Sequence, residues 1–234
     1  MDLFFHNTID LKNPVFVFND EESRHLSKVL RKQPGDLVAV TDGKGLEVHI
    51  QIQNISSRIT NGHLVETIVH PAPKHQTHIA IAPTKNNVRL EWFLEKATEI
   101  GIHRITPLLC QHSERKVIKH DRLTKILQAA LKQSQQFHLP QLDELISFET
   151  FVAQQKKGYI AHCNTGEKFD LADIAVTEKS NCILIGPEGD FSVDEVTFAE
   201  KNNFQSISLG SQRLRTETAA LVACHTLSLI HRNI

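Results

Sequence analysis

The sequence predicts an α/β protein in which a small β-rich module precedes a domain built on a mainly parallel sheet. Three observations predict this fold class. The first seventy residues read mostly as short strands separated by turns, Pro71 and Pro73 interrupt that pattern, and the remainder alternates strand-like runs with longer helical ones. Short strands with turns are typical of a β-rich module. Alternating strands and helices favour a parallel sheet covered on both faces.

The β-rich module has one helix among its strands. Val15–Phe18 reads as a strand, and Asn19 or Asp20 can cap a helix immediately after it. Pro34-Gly35-Asp36 ends the helix because proline disrupts helical hydrogen bonding. The apolar side of this helix is expected to carry three residues at helical spacing: Leu26, Val29 and Leu30.

A hairpin and a further turn complete the module. Leu37–Thr41 and Leu46–Ile52 alternate on either side of Asp42-Gly43-Lys44-Gly45, which is a strong hairpin signal. Asn61-Gly62 predicts another turn, before a strand at Leu64–Val69.

A domain boundary is predicted at Pro71-Ala72-Pro73, where two prolines stiffen the chain. We expect a first domain over residues 1–70 and a second over residues 74–234. In the second, Ser192 and Glu195 form a capping box before a helix. Its strand-like runs are Ile79–Ala82, Ile105–Leu109, Tyr159–Ala161, Cys182–Ile185 and Ile207–Leu209. Its apolar helical faces are Leu90, Phe93, Leu94, Ala97 and Ile100, ended by Gly101, and Leu123, Ile126, Leu127, Ala130 and Leu131.

Composition and charge set only broad limits on function. The formal net charge of −1 excludes strong attraction of the whole protein to a polyanion, so nucleic-acid binding requires local basic patches. No segment approaches the roughly 20 apolar residues of a membrane span, and the N-terminus lacks the features of a signal peptide. A cytoplasmic protein is the simplest interpretation. The cysteines form no C-x-x-C pair, which argues against a zinc or redox motif: Cys110, Cys163, Cys182 and Cys224.

Two loops that follow predicted strands carry the strongest chemical signals. Ligands of open parallel sheets bind beyond the carboxyl ends of the strands. Gly186-Pro187-Glu188-Gly189 follows one such strand and is built for positive φ and close backbone approach. Gly210 follows the other, with Arg213, Arg215, Thr216 and Glu217 at the start of a long apolar helix. Spacing alone leaves open a plainer interpretation, two tight turns with a solvated Glu188 and surface ion pairs. Neither loop matches a dinucleotide-binding or P-loop motif.

Two basic clusters are candidates for RNA contact. The stronger spans Arg115 to Lys125, and the weaker lies on the predicted N-terminal helix. In both, a solvated helix face remains the alternative. The histidines show no metal-ligand spacing, although His162 follows a predicted strand and could border the same crevice. The cationic members of the two clusters are Arg115, Lys116, Lys119, Arg122 and Lys125, and Arg24, Lys28, Arg31 and Lys32.

At this spacing the two C-terminal loops resemble those of one enzyme family. Ile185-Gly186-Pro187-Glu188-Gly189, followed by Leu209-Gly210 and Arg215-Thr216-Glu217-Thr218-Ala219, is similar to the RsmE family. These are uridine-N3 methyltransferases of 16S ribosomal RNA within the SPOUT superfamily. The resemblance extends over nearly the whole chain, through His25–Arg31, Gly35-Asp36, Asp42-Gly43, Lys96–Gly101 and Ile105-Thr106-Pro107.

The resemblance implies a PUA-like β-barrel for RNA over residues 1–70 and a SPOUT domain over residues 74–234. It implies a C-terminal trefoil knot around S-adenosylmethionine, whereas general topological rules alone would predict an unknotted sheet. It also implies a homodimer with a site shared between subunits. The implied partner is the 16S rRNA of the small ribosomal subunit, with no membrane and no metal.

The sequence departs from the family pattern at three places. Asp190 replaces a common second glycine, Ser211 and Gln212 vary the arginine-rich loop, and Gln135-Gln136 replaces an expected Gly-Arg.

The resemblance also assigns roles to individual residues. The expected cofactor-binding residues are His162, Ile185, Gly186, Pro187, Gly189, Leu209, Gly210, Leu214, Thr218 and Ala219. The expected RNA-binding residues are Arg24, Lys28, Arg31, Arg115, Lys116, Lys119 and Arg122.

The chemistry of uridine methylation suggests which side chains act. Uridine N3 is protonated at neutral pH and must lose its proton before it attacks, so the site needs a base or cations that stabilise the anion. We expect Arg215 to contact the anion or a phosphate, and Glu217 or Glu188 to act as a base or an orienting group. The alternatives are a non-catalytic RNA-binding ribosome-assembly factor with the same fold, and a nucleotide-binding enzyme unrelated to RNA. The latter leaves the β-rich module unexplained.

Overall fold

The structure, a computed structural model, describes residues 1–174 and 180–232. The chain divides into two compact units. The first combines Met1–Ala72 with Leu131–Leu139, and the second combines Pro73–Ala130 with Pro140–Ile234. The sequence indicated no role for Leu131–Leu139 in the first unit.

The first unit is a five-stranded sheet in the order β1-β3-β4-β5-β2. β1 runs parallel to β3, and the other neighbours are antiparallel. Its core is formed by side chains that alternate towards one side of these strands, among them Phe18, Val40 and Ile50. The strands are β1 (Leu3–Phe5), β2 (Val15–Phe18), β3 (Leu37–Thr41), β4 (Leu46–Ile55) and β5 (Thr60–Val69).

The helix of the first unit changes pitch after one turn. α1 (Asp20–Arg24) begins at the predicted cap Asn19, whose side chain accepts the Glu22 amide at 2.9 Å. It continues as a π-helical turn, His25–Val29. The wider turn keeps Leu26 buried but leaves Val29 67% exposed, so the prediction that Val29 faces the core is wrong.

The turn predicted at Asn61-Gly62 is also wrong, because both residues lie inside β5. The reversal occurs earlier, where Ser56 pairs with Ile59 through backbone and hydroxyl hydrogen bonds. Gly62 serves close approach instead, since a Cβ there would lie 2.3 Å from the Gln51 carbonyl oxygen.

Leu131–Leu139 joins the first unit through the β3–β4 hairpin. The Gly45 amide donates to the Phe137 carbonyl at 2.8 Å, and the His70 ring stacks on Phe137 with 3.8 Å between ring centroids. Gln135 has φ 53, a conformation that glycine adopts more easily. Gln135, which departs from the family pattern, thus adopts a backbone conformation in the left-handed region.

The second unit contains an eight-stranded sheet in its described residues, with the main order β11-β13-β10-β12-β6-β7-β8 and β9 also beside β7. Every pairing in it is parallel, which confirms the predicted α/β class. The strands are β6 (Gln76–Ile81), β7 (Arg104–Leu109), β8 (Gln141–Leu142), β9 (Ile146–Ser147), β10 (Gly158–Ala161), β11 (Phe169–Asp170), β12 (Ser180–Ile185) and β13 (Phe204–Ser208).

The predicted helix-end signals of the second unit are confirmed. α2 ends at Gly101 with φ 94, and α5 begins with the full Ser192–Glu195 capping box. Within residues 1–174 and 180–232, no helix is long and apolar enough to cross a membrane. The helices are α2 (Asn87–Ile100), α3 (His120–Gln133), α4 (Phe148–Gln154), α5 (Val193–Lys201) and α6 (Thr216–Arg232), with a 3₁₀ turn at Leu171–Asp173.

Candidate active site

A cavity of about 640 Å³ lies where β10, β12 and β13 end. These strands are parallel neighbours, so their carboxyl ends open at one edge of the sheet, as predicted for a ligand site. All lining residues come from one stretch of chain, between Ala161 and Ala219. They are Ala161, His162, Cys163, Lys168, Ile185, Gly186, Pro187, Glu188, Asp190, Ile207, Ser208, Leu209, Gly210, Ser211, Gln212, Arg213, Leu214, Arg215, Thr216 and Ala219.

Tight packing shapes the loop after β12. A Cβ on Gly186 would lie 3.1 Å from the Phe191 ring and backbone, so the glycine permits close approach. The positive φ expected of the two glycines belongs to Asp190 instead, at φ 65, where its amide closes a turn onto the Pro187 carbonyl at 2.9 Å. Aspartate tolerates this region better than most side chains do.

Asp190 also joins two loops that line the cavity. One carboxylate oxygen accepts the Cys163 amide at 2.7 Å, and the other accepts the Phe191 amide at 2.8 Å. The Asn164 side chain donates to the Phe191 carbonyl at 3.3 Å, beside the first of these bonds. The departure from glycine therefore fixes the β10 loop against the β12 loop.

The cavity includes eight of the ten expected cofactor-binding residues and leaves out Gly189 and Thr218. Gly189 lies close to His112, since a Cβ on it would be 3.1 Å from the His112 side chain. Thr218 follows the buried Glu217 on α6. The eight that line the cavity are His162, Ile185, Gly186, Pro187, Leu209, Gly210, Leu214 and Ala219.

The two carboxylates expected near the chemistry have different surroundings. Glu188 is exposed at the cavity, and its Oε1 accepts the Lys85 amide at 3.0 Å. Glu217 is only 6% exposed and does not line the cavity. Its Oε1 lies 3.6 Å from Arg89 Nε, and its buried Oε2 has no hydrogen-bond partner in the described chain. Glu217, expected to act as a base or an orienting group, thus lies outside the lining of the cavity in this chain.

His162 lines the cavity and has one hydrogen-bonded ring nitrogen. Ser206 donates its hydroxyl proton to Glu200 at 2.7 Å, so it must accept from His162 Nε2 at 2.9 Å. Burial, followed by the nearby Lys168 charge, lowers the pKa of His162 and favours the neutral ring. Its buried Nδ1 then carries a lone pair, for which the described residues supply no donor.

Arg213 and Arg215 are exposed and line the cavity. Among residues 1–174 and 180–232, neither has a carboxylate within ion-pair distance. Lys168 was not singled out in the sequence, whereas Arg213 was noted in the loop after β13 without a role of its own. The position of Arg213 two residues before Arg215 was an available signal, whereas nothing in the sequence around Lys168 pointed to the cavity.

The expected RNA-binding residues fall into two groups. In the first unit, Arg24, Lys28 and Arg31 are all exposed. In the second unit, Lys116 and Lys119 are exposed. Arg122 instead forms a bidentate pair with Glu91, at 2.6 and 3.0 Å. Arg115 donates to the Thr84 and Lys85 carbonyls, at 3.1 and 2.6 Å. These two cations thus have protein partners that the sequence did not reveal.

Within the described residues, no group of three or more histidine, cysteine, aspartate and glutamate side chains is placed to hold a metal ion.

Comparison with known families agrees with this architecture. A model described as an RNA methyltransferase domain matches residues 70–228. A second, described as an RNA methyltransferase PUA domain, matches residues 18–60. The fold and the cavity therefore define a two-part RNA methyltransferase.

Individual relatives cover nearly the full length of the chain. A probable rRNA-methyltransferase from Porphyromonas gingivalis is 34% identical, with a TM-score of 0.91 over 100% of this chain and 99% of that one. Ribosomal RNA small subunit methyltransferase E of Rickettsia conorii is 27% identical, covering 97% and 95% of the two chains. The Neisseria gonorrhoeae enzyme of that name, bound to S-adenosyl methionine, is 24% identical with a TM-score of 0.85 over 98% and 97%, a likeness of fold.

The chain belongs to the RNA methyltransferase family, in the branch that resembles ribosomal RNA small subunit methyltransferase E.

Proposed function

We propose that the protein transfers a methyl group from S-adenosylmethionine to N3 of a uridine in 16S rRNA of the small ribosomal subunit. The observation that carries this proposal is the cavity at the carboxyl ends of β10, β12 and β13, beside the exposed Arg213 and Arg215. The names of its relatives support an rRNA substrate. The bound cofactor of the Neisseria protein supports the methyl donor.

The cavity fits the proposed cofactor in size and chemistry. Its volume of about 640 Å³ falls within the range of roughly 300–1,000 Å³ for small-molecule sites. Aliphatic side chains such as Ile185 and Leu214 suit a purine ring, while the orphaned Nδ1 of His162 can accept a hydrogen bond from a ligand hydroxyl or amine. When bound, the cofactor supplies an electrophilic methyl group on a sulfonium.

Residues beside the cavity can prepare uridine N3 for attack. Loss of the N3 proton leaves a negative charge on the uracil, which the guanidinium groups of Arg213 and Arg215 can stabilise. Glu188 has one oxygen held by the Lys85 amide, so its other oxygen can accept or orient a proton at the cavity. We therefore assign the carboxylate role to Glu188, and to Glu217 the anchoring of Arg89.

RNA binding is proposed to involve both parts of the chain. Residues 1–70 would act as the RNA-binding module, through the exposed Arg24, Lys28 and Arg31, and residues 74–234 as the methyltransferase domain. Lys116 and Lys119 would add phosphate contacts in the second domain. All five of these residues are exposed, which supports this assignment.

We also propose a homodimer, a trefoil knot in the segment that lines the cavity, and action in the cytoplasm, where the proposed rRNA substrate occurs. The superfamily resemblance supports the homodimer and the knot.

Exposed apolar side chains on the adjacent helices α2 and α6, namely Val88, Trp92 and Leu229, support a self-association surface. Light scattering across a protein concentration series tests the dimer, and a constant monomer mass would contradict it.

Methyl transfer can be tested with purified components. The protein is incubated with small ribosomal subunits and isotopically labelled S-adenosylmethionine, and nucleosides from the digested rRNA are analysed by mass spectrometry. We expect labelled N3-methyluridine from 16S rRNA. Cofactor binding in calorimetry without any transfer would favour a non-catalytic RNA-binding factor, and no cofactor binding would contradict the proposal.

A further inference from the structure

Arg115 holds the loop between β6 and α2. Its Nε donates to the Thr84 carbonyl at 3.1 Å, and its Nη2 donates to the Lys85 carbonyl at 2.6 Å. The planar guanidinium presents its donors in a fixed fork, so two successive carbonyls can be held in one orientation. Arg115 is half-buried, in contrast to the exposed Lys116 beside it.

The same loop holds Glu188. Arg115 binds the Lys85 carbonyl, and the amide of the same residue donates to Glu188 Oε1 at 3.0 Å. Further bonds fix the loop on its other side. The Thr84 hydroxyl donates to the Asn86 carbonyl at 2.8 Å, and the Asn86 side chain caps α2 by accepting the Val88 amide. Arg115 and Glu188 are therefore connected through a short and ordered stretch of backbone.

An exposed ion pair lies beside this connection and offers a control. Lys85 Nζ lies 2.8 Å from Glu114 Oε2, and both side chains are largely exposed. Solvent screens such pairs, which contribute little to stability. Removing the Glu114 charge therefore changes the local charge without changing the hydrogen bonds from Arg115 to the backbone.

We propose that Arg115 is a positioning residue: by binding the Thr84 and Lys85 carbonyls, it orients the Lys85 amide that holds Glu188 at the cavity. The catalytic part of this inference rests on the proposed function. The structural part does not, because it concerns contacts within the protein. A lysine at position 115 would keep the charge but could not hold both carbonyls in the same fork.

The structural part is tested by amide-resolved hydrogen exchange without cofactor or RNA. Lys85 should exchange at least about tenfold faster in Arg115→Lys, in Arg115→Ala and in Glu188→Ala than in the wild type. Glu114→Gln should leave that rate unchanged. Wild-type protection of the Lys85 amide in Arg115→Lys and Arg115→Ala would overturn the proposal, whether or not the protein methylates RNA.

The catalytic part is tested by a double-mutant cycle on the same variants. Arg115→Lys should lower kcat with little change in the KM for the RNA substrate. The kcat of the double variant should be less than about twofold below that of Glu188→Ala alone, because both changes act through the same oriented carboxylate. Full multiplication of the two losses would overturn the coupling of Arg115 to Glu188, and a rise in KM with kcat unchanged would indicate that Arg115 acts by contacting RNA. A wild-type protein without activity would count against the proposed function and would leave the exchange result to decide.

Discussion

At the scale of single residues, the glutamates near the cavity show how surroundings decide a role. Glu188 is exposed, lines the cavity and has one oxygen fixed by a backbone amide. Glu217 occupies the first turn of α6, a favourable place for a carboxylate near a helix N-terminus, and lies buried against Arg89. Proton transfer requires a carboxylate within hydrogen-bond reach of the substrate, which favours Glu188.

Isosteric substitutions separate these two roles. Glu188→Gln should lower kcat by about 10²–10⁴, the usual contribution of a general base, with cofactor affinity nearly unchanged. Glu217→Gln should lower kcat by less than about tenfold, because its side chain lies outside the cavity. Single-turnover rates and cofactor calorimetry on both variants provide the measurement. A larger loss for Glu217→Gln than for Glu188→Gln would reverse the assignment.

His78 allows a pH prediction at the same scale. Burial lowers its pKa from 6.5 to about 4, and its Nε2 donates to Thr106 at 2.7 Å, since the Thr106 hydroxyl donates to Asp143. Below pH 6.5 the unfolded chain binds this proton more readily than the folded one, so stability falls as the pH falls towards 4. This group should contribute a loss of about 2 kcal/mol between pH 7 and pH 5.

His78→Gln keeps a donor for Thr106 and removes the titration. Urea unfolding of both proteins at each pH should show that the wild type loses about 2 kcal/mol more than the variant does. Parallel losses in the two proteins would show that His78 is not buried in its neutral form.

At the scale of elements, local patterns predicted the central strands and the helix ends, and they failed where distant parts of the chain decide the conformation. The Gly101 end of α2 and the Ser192 capping box depend on nearby residues, so the sequence was sufficient. Gly62 reads locally as a turn but lies in β5, because the Gln51 backbone comes within 2.3 Å of where its Cβ would be. The partner of Glu217 could not be predicted, since Arg89 lies on another helix.

The first unit provides a matched pair of glycines, Gly35 before β3 and Gly45 in the β3–β4 hairpin. Gly45 has φ 96 and Gly35 has φ 97, so alanine is similarly strained at both. A Cβ on Gly45 would also lie 2.6 Å from the His70 carbonyl oxygen, whereas Gly35 faces open space. Gly45→Ala should therefore destabilise the protein by about 2 kcal/mol more than Gly35→Ala, as measured by urea unfolding. Equal losses would mean that backbone strain, not the close approach, dominates.

At the scale of the whole molecule, function depends on where charges lie and not on their sum. The net charge is −1, yet exposed cations lie on and beside the π-helical turn of the first unit, and in the second unit along residues 115–125 and at the cavity. The sequence located these clusters but could not show which members are already occupied. Arg115 and Arg122 bind partners brought close only by folding, at Thr84 with Lys85 and at Glu91. Much of the cavity lining was predictable, because the loops that follow β10, β12 and β13 carry it.

The central claim, methylation of uridine N3 in 16S rRNA through this cavity, is tested most directly in cells that lack the protein. Nucleoside mass spectrometry of their 16S rRNA should show loss of N3-methyluridine. Wild-type protein and Glu114→Gln should restore it, and Arg215→Ala or Glu188→Gln should not. Unchanged N3-methyluridine in the 16S rRNA of these cells would contradict the account.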